Sequence, residues 1–183
     1  HSVKIIMTGG SKLLSKDNLS LSQLFPLAQI IEFYGASETS YVSISLPIES
    51  PPIGSVGRAF KGVNISIRDE LNNIIEARKI GKIWVKSKML FDCYLCGQNE
   101  EFKRDGGWVT AGDYGMLDED GFLFLKGRAD RMFLISGKNV YAEEVELFFL
   151  QLECVDRAAV FGITDEFRGT QLIAAIHPKA GLQ

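Results

Sequence analysis

Residues 3–7 form an apolar run of strand length, closed by the turn Thr8-Gly9-Gly10-Ser11. Asp17 can cap a helix reaching residue 25, with Leu21, Leu24 and Phe25 on one side and Pro26 as its stop. Residues 29–34 are a second short run, closed by Gly35. Strand, helix, strand is the pattern of a buried parallel sheet, because parallel neighbours need a crossover between them. Such sheets offer ligands the carboxyl ends of their strands. Gly9, Gly10 and Gly35 sit just past two such ends, so a ligand site is expected there.

From residue 47 the punctuation changes. Pro51-Pro52, Gly54, Gly57 and Gly62 break the chain repeatedly. Short β segments follow at 63–68, 74–77, 82–87, 115–118 and 122–126, with hairpin turns at Asn72-Asn73 and Asp120-Gly121. This predicts a small antiparallel unit, partly closed and barrel-like. After Asp130 a strand at 133–136 ends on Gly137. A helix over 142–152 places Val145, Phe148, Phe149 and Leu152 on one side. Glu143 and Glu144 lie in its first turn, where the helix dipole favours acids. Strands at 157–163 and 171–177 complete the chain. The predicted fold class is α/β with a β-barrel-like subdomain, followed by an incomplete small α+β domain. The expected divisions are an α/β piece at 1–46, an antiparallel β subdomain at 47–129, and the small domain at 130–183.

With 46% hydrophobic residues among 183, there is material for a core. The net charge of −3 comes from interspersed acids and bases, so no nucleic-acid partner is expected. No apolar run approaches the ~18–20 residues that span a bilayer, so no transmembrane segment is expected. The first residue is His1, so the amino end is expected to be cut or processed. Cys93 and Cys96 form a C-x-x-C without a second pair or nearby histidine. Reduced thiols and a cytoplasmic location are expected.

Three segments carry the chemistry. Tyr34-Gly35-Ala36-Ser37-Glu38 offers a ring for stacking, a hydroxyl for a phosphate and a hard carboxylate oxygen for a divalent cation. The bland alternative is a capped helix start, where Ser37 and Glu38 only satisfy backbone donors. Thr110-Ala111-Gly112-Asp113 places one carboxylate where it can accept from two vicinal hydroxyls. Gly127-Arg128-Ala129-Asp130 supplies a guanidinium suited to multidentate oxygen contacts. Its bland alternative is a surface ion pair among Arg128, Asp130 and Arg131.

In this order and spacing, the three segments resemble the nucleotide-handling motifs of the adenylate-forming superfamily: acyl-CoA synthetases, firefly luciferase and peptide-synthetase adenylation domains. The resemblance implies that Tyr34 lies against adenine, Ser37 contacts phosphate and Glu38 holds Mg²⁺. It implies that Asp113 reads the ribose and that Arg128 binds ribose or phosphate oxygens. Ser37, Glu38 and Arg128 would then be the catalytic set. Asp130 would be the hinge between a large and a small domain. Residues 1–129 would close the large domain and 130–183 would open the small one.

Thr8-Gly9-Gly10-Ser11 resembles the family's Gly-Gly loop beside adenine, with Ser11-Lys12-Leu13 replacing the usual continuation. Ala111 is an extra residue in the Asp113 motif, and Ala142 stands where the family often has proline. Gly137 would lie on the path of the acceptor thiol, and Lys138 beside a coenzyme A phosphate. Asp165-Glu166-Phe167-Arg168-Gly169 matches a later family loop.

The family's phosphate loop with lysine and its late lysine are not in this sequence, so the chain alone is expected to be inactive. The resemblance implies an AMP-forming acid–CoA ligase using a carboxylic acid, ATP, Mg²⁺ and coenzyme A. Residues 39–45 would line the acyl pocket, and Tyr41 and Val42 favour a fatty or aryl acid. A carrier-loading adenylation domain and a non-catalytic nucleotide-binding relic are the alternatives.

Overall fold

The structure, a computed structural model, describes residues 2–97, 100–165 and 169–179. The chain divides into two compact units, His1–Leu125 and Lys126–Gln183. It is sheet-rich, with two short α-helices among the described residues.

The first unit opens as its sequence predicts. Strand β1 (Ile5–Thr8), helix α1 (Ser15–Leu24) and strand β2 (Gln29–Ala36) follow in order, and β1 runs parallel to β2 with Ile5 opposite Gln29. Strand β3 (Ser40–Ser45) returns antiparallel to β2, and the short β4 (Arg58–Ala59) pairs with β3. The expectation of burial fails for this part of the sheet. Helix α1 has no buried residue, and Leu19 and Leu24 are 61% and 64% exposed. Ile5 and Met7 of β1 are exposed as well. Asp17 does not cap the helix. Leu14 holds the cap position without a side-chain bond, and Asp17 lies in the first turn.

A second sheet follows. Its strands are β5 (Asn64–Arg68), β6 (Gly81–Lys86), β7 (Lys103–Asp105), β8 (Trp108–Thr110), β9 (Asp113–Leu117) and β10 (Leu123–Arg128). β6 is central: β5 covers one edge, while β8 and β9 share the other at opposite ends. The strand order β10-β9-β6-β8-β7 is an open path among the described strands, so the sheet curves without closing into a barrel. The predicted strand at 74–77 is not formed. Asp69 accepts from the amides of Leu71 and Asn73, making a tight loop, and only Ile74 bridges back to Arg68. Those bonds, the Asn73 amide first, hold the Asp69 carboxyl below its ordinary pKa. The turn at Asp120-Gly121 is present, with the Asp118 carboxylate accepting from the amides of Asp120 and Phe122.

One core joins the two sheets. Val42 of β3 packs with Val56, Val63, Ile67, Ile83, Val85 and Leu123. Full burial of each such side chain stabilises the fold by about 1.5–3 kcal/mol. The segment from Ser55 to Gly57 stitches the sheets together. Val56 donates its amide to Leu123 O at 2.8 Å, and Leu123 donates to Gly57 O at 2.8 Å. Gly57 has φ +86°, and a Cβ there would lie 1.9 Å from Ile44 O, so the crossing needs glycine. At the other end of the sheet, the Arg68 guanidinium lies over the rings of Trp84 and Trp108, 4.7 and 5.2 Å from their centroids.

The second unit contains a hairpin, a helix and a two-stranded sheet. Strands β11 (Met132–Ile135) and β12 (Lys138–Tyr141) are joined by Ser136 and Gly137, both at positive φ (50° and 78°). Two consecutive positive φ values are the signature of a tight hairpin turn that suits strand twist. Helix α2 (Ala142–Leu150) packs on β13 (Val155–Asp165), which pairs antiparallel with β14 (Gly169–Pro178). The inward face of α2 differs from its predicted one: Phe148 and Leu152 are 63% and 42% exposed. Glu146 turns inward instead, accepting from the Val160 amide at 2.8 Å and from Arg131.

Candidate functional site

Two of the predicted residues meet directly. Tyr34, near the end of β2, donates its hydroxyl to Asp113 Oδ2 at 2.6 Å across a sequence separation of 79. Asp113 is the first residue of β9, so a strand end of one sheet touches a strand start of the other. A hydroxyl–carboxylate bond of this length is charge-assisted and roughly twice as strong as a neutral one. It sets a ring and a carboxylate side by side.

From Val109 to Tyr114 is five steps along the chain, while their partners on β6, Val85 and Lys82, are three apart. The surplus is taken up by the kink at Ala111-Gly112. Gly112 has φ +89° and donates to Thr110 Oγ1 at 3.2 Å. A Cβ on Gly112 would sit 2.6 Å from the Glu101 Cβ.

Ser37, Glu38 and Thr39 form the turn between β2 and β3, not a helix start. Thr39, rather than Ser37 or Glu38, satisfies the local backbone, accepting from the Ala36 amide at 3.1 Å. Ser37 is exposed and Glu38 half-buried. The Glu38 carboxylate accepts a hydrogen bond from the Tyr94 hydroxyl through Oε1. Gly35 is required by chain packing: a Cβ there would lie 2.1 Å from Ser40 O, where the β2–β3 register shifts. Gly9 is likewise committed inward, with the Phe33 ring 2.5 Å from where its Cβ would be. Gly10 is at φ +85° with open space around it.

The loop after Gly10 is held by charge. Lys12 Nζ lies 2.8 Å from Glu32 Oε2 and donates to Ser55 O at 3.0 Å, and the Leu13 amide donates to Glu32 Oε1 at 2.9 Å. The departure Ser11-Lys12-Leu13 therefore keeps an anchored loop. Val42 is fully buried in the core. Tyr41 is 45% exposed and packs between Phe33 and Phe60, at 5.2 and 5.8 Å between centroids.

In the second unit Arg128 Nε donates to Asp130 Oδ1 at 3.1 Å, with both side chains exposed. Ala129–Arg131 is a single 3₁₀ turn between β10 and β11. Arg131, not Arg128, holds the unit's polar network, bonding Glu143 and Glu146. The Glu146 bond, and then the neighbouring carboxylates, push the Arg131 pKa up against the opposing effect of burial. Gly137 is exposed, with nothing within 4 Å of its Cβ position. The segment Asp165-Glu166-Phe167-Arg168-Gly169 reaches outside the described residues.

Sequence reasoning missed Tyr94, Lys12, Glu32 and Arg131. The spacing of Phe91, Tyr94, Phe102 and Arg104 was the available signal for Tyr94, because three rings and a guanidinium on one loop imply a packed cluster. Among the described residues no group of three or more His, Cys, Asp or Glu gathers to hold a metal ion. The three cysteines are free and exposed.

Residues 1–95 match the family model described as AMP-binding enzyme. The chain is 37% identical over 175 residues to the uncharacterised acyl-CoA ligase YhfT of Bacillus subtilis, covering 95% of this chain and 35% of that protein. It is 35% identical over 162 residues to a Staphylococcus epidermidis protein named for long chain fatty acid-CoA ligase activity, VraA, covering 88% of this chain and 33% of that one. The chain thus spans about a third of the length of the curated relatives it matches. Among solved structures it resembles the o-succinylbenzoate CoA synthetase of Bacillus subtilis in complex with its acyl-adenylate intermediate. The identity is 26% and the TM-score 0.85, over 100% of this chain and 38% of that one. The same synthetase is also solved with ATP and magnesium ion. With more than half of its residues matched by that model, this chain belongs to the AMP-binding enzyme family.

Proposed function

We propose that the protein carrying this chain is an AMP-forming acid–CoA ligase. A substrate carboxylate attacks the α-phosphorus of ATP, forming acyl-AMP and releasing pyrophosphate. The thiol of coenzyme A then attacks the acyl carbon and AMP leaves. Two steps are needed because a carboxylate carbon accepts a nucleophile poorly until AMP becomes its leaving group. The observation that carries this reading is the Tyr34–Asp113 bond, which sets a stacking ring beside a sugar-reading carboxylate.

In this reading Tyr34 lies along the adenine, and Gly10, with open space around it, lets the loop pass close to it while Gly9 packs on Phe33 behind. Gly35 permits the tight β2–β3 approach that aims Ser37 at a phosphate oxygen. Asp113 accepts from the ribose hydroxyls, and Arg128 binds ribose or phosphate oxygens. Glu38 would hold magnesium. One hard carboxylate oxygen fits an ion that takes one or two carboxylates plus phosphate oxygens. When bound, that ion neutralises polyphosphate charge. Residues 1–129 close the large domain and 130–183 open the small one, with Asp130 as hinge. The exposed Arg128–Asp130 pair supports the hinge reading, since it breaks at little cost. Gly137 lies on the thiol path.

The named activities of the relatives support a fatty or aryl acid. No helix among the described residues is long and apolar enough to cross a membrane, and a cytoplasmic location is part of the same proposal. The test is ATP–pyrophosphate exchange by the whole protein with a panel of medium- to long-chain and aryl acids. Acid-dependent exchange is expected. Nucleotide binding without exchange on any acid would overturn the ligase reading.

A further inference from the structure

We propose that Tyr94 is the positioning residue for the Glu38 carboxylate, holding one oxygen so that the other is presented to the metal. The inference rests on the reading of Glu38 as the magnesium-holding residue.

Four observations carry it. The Tyr94 hydroxyl donates to Glu38 Oε1, across a sequence separation of 56. The Phe91 amide donates to Glu38 O at 3.1 Å, so the same loop grips both the backbone and the side chain of this glutamate. The Tyr94 ring is held edge-on by two neighbours. Its centroid is 4.9 Å from Phe91 and 5.8 Å from Phe102, and those two rings are 4.9 Å apart. Arg104 closes the cluster. Its guanidinium lies over Phe91 and Phe102 at 5.5 and 5.3 Å, and it donates to the carbonyls of Phe91 and Asp92.

A glutamate on a turn has a flexible stem and pays rotamer entropy when it binds an ion. A tyrosine locked in an aromatic cluster removes that freedom in advance. It holds Oε1, and the second carboxylate oxygen is the one offered to the ion. Glu101, beside Phe102 of this cluster, packs close to Gly112, the residue before Asp113. Hydrogen-bond partners of metal ligands commonly set ligand orientation in this way.

The experiment is a Mn²⁺ titration of the whole protein with ATP, followed by electron paramagnetic resonance, for wild type, Tyr94→Phe, Glu38→Gln and the double variant. Tyr94→Phe keeps the ring and loses only the hydroxyl. It is expected to raise the Mn²⁺ Kd about tenfold, as loss of such partners does. ATP binding without metal and the Tm are expected to stay at wild-type values, which a merely structural role would not permit. The double variant is expected to match Glu38→Gln, since Tyr94 acts through Glu38. Phe102→Leu, which keeps the hydroxyl and loosens its support, is expected to show a smaller shift in the same direction. Wild-type Mn²⁺ affinity in Tyr94→Phe, with Glu38→Gln weakened, would overturn the role of Tyr94 and leave the metal reading standing. Wild-type affinity in Glu38→Gln would overturn both.

Discussion

The Tyr34 hydroxyl and the Asp113 carboxylate are joined by a 2.6 Å hydrogen bond that links the mixed first sheet to the antiparallel second one. Neither residue is buried, so the bond is available to be remodelled by a ligand. In the proposed reading it sets the ring and the carboxylate relative to each other ahead of the nucleotide, which would lower the ordering cost of binding.

Tyr34→Phe keeps the ring and deletes this bond. Hydrogen bonds to charged groups contribute about 1.5–3 kcal/mol, so nucleotide affinity is expected to fall at least about tenfold. In a double-mutant cycle with Asp113→Ala, read by nucleotide titration, the two losses are expected to be non-additive by more than about 0.5 kcal/mol.

Much of this arrangement was legible in the sequence, and what was not has a common cause. The strand–helix–strand opening, the turn at Asp120-Gly121, and the strands around Trp84 and Leu123 follow from local pattern, and each appears. The strand expected at 74–77 lost to Asp69, whose carboxylate ties up the loop amides. Helix α2 was assigned the wrong inward face because Glu146 has a partner, the Val160 amide, that periodicity does not reveal. Glycines 9 and 35 were read for ligand approach, yet both face protein atoms: the Phe33 ring and Ser40 O. Tyr94 was invisible for the same reason as Glu146, since its partner is close in space and remote in sequence.

Two glycines separate conformational need from functional need. Gly35→Ala would push a Cβ to 2.1 Å from a backbone oxygen, so the first unit is expected to lose more than about 3 kcal/mol of stability. Gly137→Ala meets no atom within 4 Å and carries only the strain of φ +78°, about 1–2 kcal/mol. Chemical denaturation measures both. If Gly137 lies on the thiol path, the Ala variant is expected to slow thioester formation while leaving pyrophosphate exchange near wild type.

The acidic partners of the second unit are expected to divide into structural and functional. Glu146→Ala removes bonds to Arg131 and to the Val160 amide from a largely buried side chain, and is expected to destabilise by about 2 kcal/mol. Asp130→Ala breaks an exposed pair and is expected to change stability by less than about 1 kcal/mol. Its expected effect is kinetic, slowing passage from adenylation to thioester formation. Unfolding curves beside single-turnover assays of each half-reaction distinguish the two.

The loop anchor at Lys12 gives a further check. Glu32 is largely buried and serves both Lys12 and the Leu13 amide. Glu32→Gln keeps the shape and removes the charge. It is expected to destabilise by about 1–3 kcal/mol by leaving the ammonium without its counter-charge. Nucleotide affinity is expected to fall with it, because Gly9 and Gly10 belong to the same loop.

The most direct measurement is coenzyme A-dependent AMP release by the whole protein with Mg·ATP and a panel of fatty and aryl acids, beside Asp113→Ala. The expected result is turnover with at least one acid, lost in the variant. Turnover that survives in Asp113→Ala, or AMP that binds while no acid on the panel supports its release, would contradict the assignment of this strand-end site to acid activation.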